Sequence, residues 1–289
     1  MMNYQRREVL KSMACLGAMA AVLPGYGFDG KKLPILPIGA CDWSIGKTSD
    51  TAAFSLAREI GLDGLQVSLG TAQNDMHLRQ KPVQQAFLEA SRENKVAIAS
   101  LAIGELNRIP YKSAPETVAW VNDSIDVARN LGCTNILLAF FGEGDLREDP
   151  EGQKEVVRRL REVAPKAERS GVNLAIESWL SAGDHLRLIE AIGSPNVKVY
   201  YDVANATEMG YDIFREIELL GTKHICEIHF KENGNLLGQG KVDFERVKRT
   251  LEKIGYENWI IMEGALPKGA EILPAYQQNL RFVRELIKS

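Results

Sequence analysis

Four runs in the second half of the chain each end an apolar stretch in a residue that ligates hard metals. They are Leu174-Ala-Ile-Glu177, Val199-Tyr-Tyr-Asp202, Ile228-His229 and Ile261-Met-Glu263. The interval from each to the next is about one strand plus one helix. The four groups therefore belong at equivalent places in successive units of a repeat. Three carboxylates brought together without a counter-charge would repel one another and raise one another's pKa. One divalent cation removes that repulsion. Three oxygens and one imidazole suit Mn2+, Co2+, Mg2+ or Zn2+, with positions left open for a substrate.

The elements that must carry these residues are legible as a repeat. Short apolar runs at 37–43, 64–68, 97–103, 135–142, 173–178, 197–203, 225–232 and 259–265 read as strands. Amphipathic stretches at 50–60, 82–94, 115–131, 150–170, 184–192, 212–220, 243–254 and 270–287 read as helices. Pro82 and Pro115 suit a first helical turn, and Asp50, Asp184 and Asp243 suit an N-cap. Gly61, Gly132, Gly171, Gly221 and Gly255 each follow a helical run, as a left-handed C-cap would. Eight βα units in about 255 residues predict a single (β/α)8 TIM barrel, an α/β fold. An open doubly wound sheet would want a glycine-rich turn after the first strand, where this chain has Cys41-Asp42-Trp43-Ser44. In a barrel the strand C-termini form the active face. Side chains two apart share a face of a strand, so Glu177 sides with Ala175, Asp202 with Tyr200 and Glu263 with Ile261. Leu174, Ile176, Ile260 and Met262 then face the helices, and the acids point inward.

With a net charge of -3 and 25% charged residues, the chain has no bulk attraction for nucleic acid or an anionic membrane. Residues 1–28 differ from the rest. Arg6-Arg7 and Leu10-Lys11 precede an uncharged, mostly apolar run at 13–23, then Pro24-Gly25. This reads as a removable export signal of the twin-arginine type, too short to span a bilayer. The expectation is a periplasmic protein with no stable membrane anchor after removal of the signal. Residues 33–289 form one catalytic domain. Cys41, Cys133 and Cys226 match no metal spacing and read as buried free thiols.

Together with Tyr201-Asp202-x-x-Asn205, His229-x-Lys231-Glu232 and Gly238-x-Gly240-x-Val242-Asp243-Phe244, the four ligand runs resemble the xylose isomerase-like barrel superfamily of sugar isomerases and epimerases. The resemblance covers essentially the whole chain after the signal. It implies one metal on Glu177, Asp202, His229 and Glu263, with Glu177 and Glu263 also acting as acid and base. It implies a small-molecule sugar substrate and an enediolate intermediate. Export favours an unphosphorylated sugar or keto-sugar. Two departures weaken a ketose 3-epimerase assignment. Asn205 stands where those enzymes often have His, and the Arg after strand seven is missing from Glu232-Asn-Gly-Asn235. The same site on a 3-keto-type sugar or glycoside would give a lyase, dehydratase or hydrolase. A noncatalytic carbohydrate-binding barrel is the third reading, and a homo-oligomer is open. The earlier strands lack the extra histidines of the family's DNA-repair endonucleases.

Around the metal ligands, Asn205 and Lys231 are expected to touch substrate. Trp43, Phe140 and Phe141 offer faces for a sugar, against core packing as the alternative. Glu105, Asn107 and Glu143 fall on the other half of the mouth, where Glu143 is expected to touch substrate. Glu227, two residues below His229, is placed to orient the imidazole. His77, His185 and His224 are not expected to do chemistry.

Overall fold

The computed structural model describes Leu33 and residues 35–289. The segment read as an export signal lies outside the described residues. Eight parallel strands close into a barrel in sequence order: β1 (Ile38–Cys41), β2 (Gly64–Ser68), β3 (Ala97–Ile103), β4 (Asn135–Phe140), β5 (Asn173–Ser178), β6 (Val197–Asp202), β7 (Ile225–Glu232) and β8 (Ile260–Gly264). The ring is sealed by β1 against β8, with Ile38 opposite Ile260.

The helices are α1 (Ala52–Ile60), α2 (Lys81–Asn94), α3 (Glu116–Leu131), α4 (Pro150–Ser170), α5 (Ala182–Ile192), α6 (Val203–Glu208), α7 (Ile213–His224), α8 (Phe244–Ile254) and α9 (Ile272–Lys288). Eight of these match the sequence reading. The addition is α6, one and a half turns beginning directly after β6. It forms because Asp202 caps it, its side chain accepting from Ala204 N and Asn205 N. Gly61, Gly132, Gly171 and Gly255 are left-handed C-caps as expected. Gly221 also breaks its helix with a positive φ of 56, but at ψ -177 it is not a left-handed cap, and a short helical turn follows to His224. Asp243 caps α8, whereas α5 is capped by Ser181, with Asp184 inside the first turn.

Two apolar layers follow from strand alternation. The inner layer fills the barrel with Cys41, Ala99, Leu137, Ala139, Ala175, Tyr200, Cys226 and Ile261. The outer layer packs strands on helices and includes Leu174, Ile176, Ile260 and Met262. The expected parity is therefore observed. Cys41, Cys133 and Cys226 are buried free thiols.

His185 shows how the helix layer is fixed beside the site. It is buried on α5, with Nδ1 3.1 Å from the Ser181 carbonyl and Nε2 3.0 Å from Ser178 Oγ. A carbonyl only accepts, so Nδ1 donates to it and Nε2 accepts the serine hydroxyl. Burial pushes its pKa down to about 4 from an ordinary 6.5. Between those values the unfolded chain binds a proton that the native ring refuses. Stability thus falls as pH drops through that window. Moving from near pH 7 to near pH 5 should cost roughly 2 kcal/mol at this residue. Urea unfolding of wild type and His185→Gln at both pH values checks this; an equal acid loss in the two proteins would count against it.

Candidate metal centre

Strands β5 to β8 bring one ligand atom each from Glu177, Asp202, His229 and Glu263 within 4.8 Å of one another. Glu177, Asp202 and His229 are buried, and Glu263 is half-buried on the mouth side. His229 Nδ1 is the common neighbour: it lies 2.9 Å from Glu177 Oε1, 3.4 Å from Glu263 Oε2 and 3.7 Å from Asp202 Oδ2.

The carboxylates are anchored differently. Glu263 Oε1 accepts from Trp43 Nε1 at 3.0 Å, and Oε2 accepts from Lys231 Nζ at 2.9 Å. Asp202 Oδ1 accepts Ala204 N and Asn205 N, both at 2.8 Å. Among the described residues Asp202 Oδ2 is buried without a hydrogen-bond partner, with Lys231 Nζ 3.6 Å away. A buried carboxylate oxygen without a donor is costly. Here it points into a cluster of hard ligands, which is what a divalent cation would satisfy. The residues fit such an ion.

In the metal-free protein the two glutamates separate electrostatically. Burial pushes Glu177 up to about 7, against the pull of His229 and with the help of Glu263 and Asp202. Burial would also raise Glu263, but His229 and Lys231 outweigh it and hold Glu263 well below the usual carboxylate range. Burial disfavours the Lys231 ammonium, yet Asp202, Glu263 and Glu177 keep its pKa raised. Two carboxylates whose environments drive them apart are the ordinary basis for an acid and base pair.

Each residue expected at the site has a definite place. Lys231 joins the cluster. Trp43 also joins it, with its indole N–H committed to Glu263 and its ring edge-on to His229 at 6.5 Å. Asn205 sits buried in the first turn of α6. Glu143 is exposed on the turn after β4. Phe140 is fully buried in the outer core, while Phe141 stands edge-on to Trp179 at 5.1 Å. The Arg147 guanidinium covers that indole at 4.7 Å. Asn107 is used structurally, its Oδ1 accepting from Phe141 N. Glu227 does not bond His229 directly, contrary to the sequence reading. Its oxygens accept from Asn135 Nδ2 and Tyr200 Oη, each at 2.7 Å. The group that meets the imidazole is Gln66, with Oε1 3.0 Å from His229 Nε2. Its only sequence signal is a long polar side chain at an inward position of an otherwise small or apolar strand.

The loop after β7 is folded back on Glu232, whose Oε1 accepts Val242 N at 2.8 Å. A Cβ at Gly240 would overlap that carboxylate. Gly240→Ala should therefore break the Glu232–Val242 bond and destabilise the protein by about 1–3 kcal/mol. An unchanged urea midpoint would show the loop accommodates the methyl.

A closed barrel with this ligand set at the C-terminal ends of its strands defines the class: a TIM-barrel enzyme of isomerase or epimerase type, built around a candidate metal centre. The chain belongs to the xylose isomerase-like TIM barrel family, which matches residues 54–286. Among curated relatives, a putative L-ribulose-5-phosphate 3-epimerase, SgbU of Escherichia coli (strain K12), is 28% identical over 79% of this chain and 88% of its own length. Among solved structures, D-psicose 3-epimerase in the presence of D-fructose superposes with a TM-score of 0.74 at 15% identity, covering 88% of this chain and 100% of that one. The 3-keto-D-glucoside 4-epimerase YcjR of E. coli gives 0.71 at 16% identity, covering 86% and 99%.

Proposed function

We propose that the protein is a divalent-metal-dependent sugar isomerase or epimerase that works through an enediolate on an unphosphorylated sugar or keto-sugar. The observation that carries this reading is the cluster of Glu177, Asp202, His229 and Glu263 with the Asp202 oxygen left unpartnered. The relatives named as sugar epimerases support the same reaction class.

Glu177, Asp202, His229 and Glu263 would hold the ion. When bound, it supplies Lewis-acid polarisation of a sugar carbonyl and stabilises negative charge developing beside it. The proton chemistry belongs to the chain. Glu177 and Glu263 stand on β5 and β8, apart around the ring of strands. One removes the proton from a carbon next to the carbonyl, and the other returns it on the opposite face. Lys231 holds Glu263 in place and offers an ammonium to substrate hydroxyls. Asn205 can bond a hydroxyl but cannot carry a proton. Trp43 fixes the second Glu263 oxygen.

The choice of an unphosphorylated substrate follows from the export signal read at residues 1–28, which we propose directs the protein to the periplasm. SgbU is named for a phosphorylated pentulose, so the test must include both kinds. Metal-loaded protein in deuterated water is offered ketoses, aldoses, keto-glycosides and their phosphates. Deuterium appearing beside a carbonyl supports the reading. Release of water or an aglycone instead would make the protein a lyase, and binding without exchange would make it a carbohydrate-binding barrel. Turnover confined to phosphorylated sugars would overturn the substrate assignment alone.

A further inference from the structure

The ring of His229 has two edges, and they face different surroundings. Nδ1 looks toward the three carboxylates. Nε2 looks back into the barrel, 3.0 Å from Gln66 Oε1 and 3.5 Å from Cys41 Sγ. Gln66 is completely buried on β2. Its amide is held from both ends. Nε2 donates to Ser100 Oγ at 3.1 Å, and the Cys41 thiol donates to Oε1 at 3.3 Å.

The direction of the amide follows from its two partners. The Ser100 hydroxyl oxygen takes the Gln66 NH2, and the Cys41 thiol hydrogen needs an acceptor, which is the Gln66 carbonyl oxygen. That turns the Gln66 carbonyl oxygen toward His229. A carbonyl oxygen also only accepts, so His229 Nε2 must carry the hydrogen. A neutral imidazole protonated there has its free lone pair on Nδ1, facing the carboxylates. With the amide reversed, the hydrogen would move to Nδ1 and point at the place a cation must occupy. Tyr200 packs against the same imidazole: its ring lies 4.4 Å from that of His229, and its hydroxyl bonds Glu227.

We propose that Gln66, held by Ser100 and Cys41, is a positioning residue that fixes the His229 tautomer and makes Nδ1 the metal-binding nitrogen. The proposal rests on the reading of the four-residue cluster as a metal site. Buried groups behind a ligating histidine typically contribute 10–100-fold to metal affinity.

The test is calorimetric titration of Mn2+ into metal-free wild type and into Gln66→Met, Gln66→Glu and Ser100→Ala, with each protein's Tm measured alongside. Gln66→Met keeps length and loses the acceptor, so it should bind Mn2+ roughly 10–100-fold more weakly. Gln66→Glu keeps an acceptor and should bind more tightly than Gln66→Met. A packing role alone gives the reverse order, because methionine fills the space and glutamate buries a charge. Ser100→Ala should show a smaller loss, since the amide can then reverse. Equal affinity in wild type and Gln66→Met overturns the proposal. If Gln66→Met does not fold, unchanged affinity in Ser100→Ala overturns it instead. Failure of wild type itself to bind Mn2+ overturns the metal reading, and this proposal with it.

Discussion

Exchange of Glu177 for glutamine is expected to lower kcat by roughly 10²–10⁴-fold, the range for loss of one positioned acid or base. Glutamine keeps the shape and one oxygen acceptor but cannot take a proton. In the metal-free protein burial brings the Glu177 pKa up to about 7, while His229 and Lys231 hold Glu263 far lower. Glu263→Gln should lose a comparable factor in epimerisation. The pair can be told apart by exchange: a variant lacking one base can still wash deuterium in or out from the face that the other serves. Steady-state kinetics, with Mn2+ affinity measured in parallel, separates lost proton transfer from lost metal. Full activity in both single variants would sink the two-base mechanism.

Removal of divalent metal by a chelator is expected to abolish turnover, with recovery on adding back one equivalent of a suitable ion. It should also lower the Tm. At a free metal concentration about 100 times Kd, binding adds about 2.7 kcal/mol to the folded state. For a chain of this size that corresponds to roughly 5–10 °C. The pH dependence follows from the groups the ion displaces. Burial alone would lower the His229 pKa, but Cys41, Glu177 and Glu263 leave it raised well above its ordinary value. The metal-free imidazole therefore holds a proton more readily than an ordinary histidine, and metal binding competes with that proton. Affinity should fall as pH falls, by up to about tenfold per unit. Thermal unfolding with and without Mn2+ at two pH values reads both effects. A chelator-insensitive, fully active enzyme would refute the centre.

The barrel and the four ligands were legible because both are repeated. A single Glu at a strand end says little. Glu177, Asp202, His229 and Glu263 say much more, since each closes an apolar run at the same step of a periodic chain. Alternation then told inside from outside, and Ala175, Tyr200 and Ile261 do line the barrel interior. The residues behind the ligands left no such mark. Gln66 meets a partner 163 positions away, and one polar residue in a strand has no spacing to betray it. Glu227 faces inward as its parity predicts, but parity could not show that Asn135 and Tyr200 take up its oxygens. The α6 stub escaped because its six residues are too few for a helical period and depend on the Asp202 cap. Gly221 does break its helix where the spacing predicts, but its ψ of -177 is extended rather than that of a left-handed cap, which the residue type alone does not tell.

The capping of α6 by Asp202 bears on denticity. One oxygen of that carboxylate is committed to two backbone N–H groups, so Asp202 can offer an ion only the other. Glu263 instead carries one donor on each oxygen, Trp43 on Oε1 and Lys231 on Oε2. If each acid gave a single oxygen, the site would use four protein atoms in all. An ion that prefers six neighbours, as Mg2+ does, would then keep two for exchangeable oxygens. That is the number a vicinal carbonyl and hydroxyl of a sugar would fill. The small helix stub, by tying up one oxygen of Asp202, thus limits how many atoms that residue can give an ion.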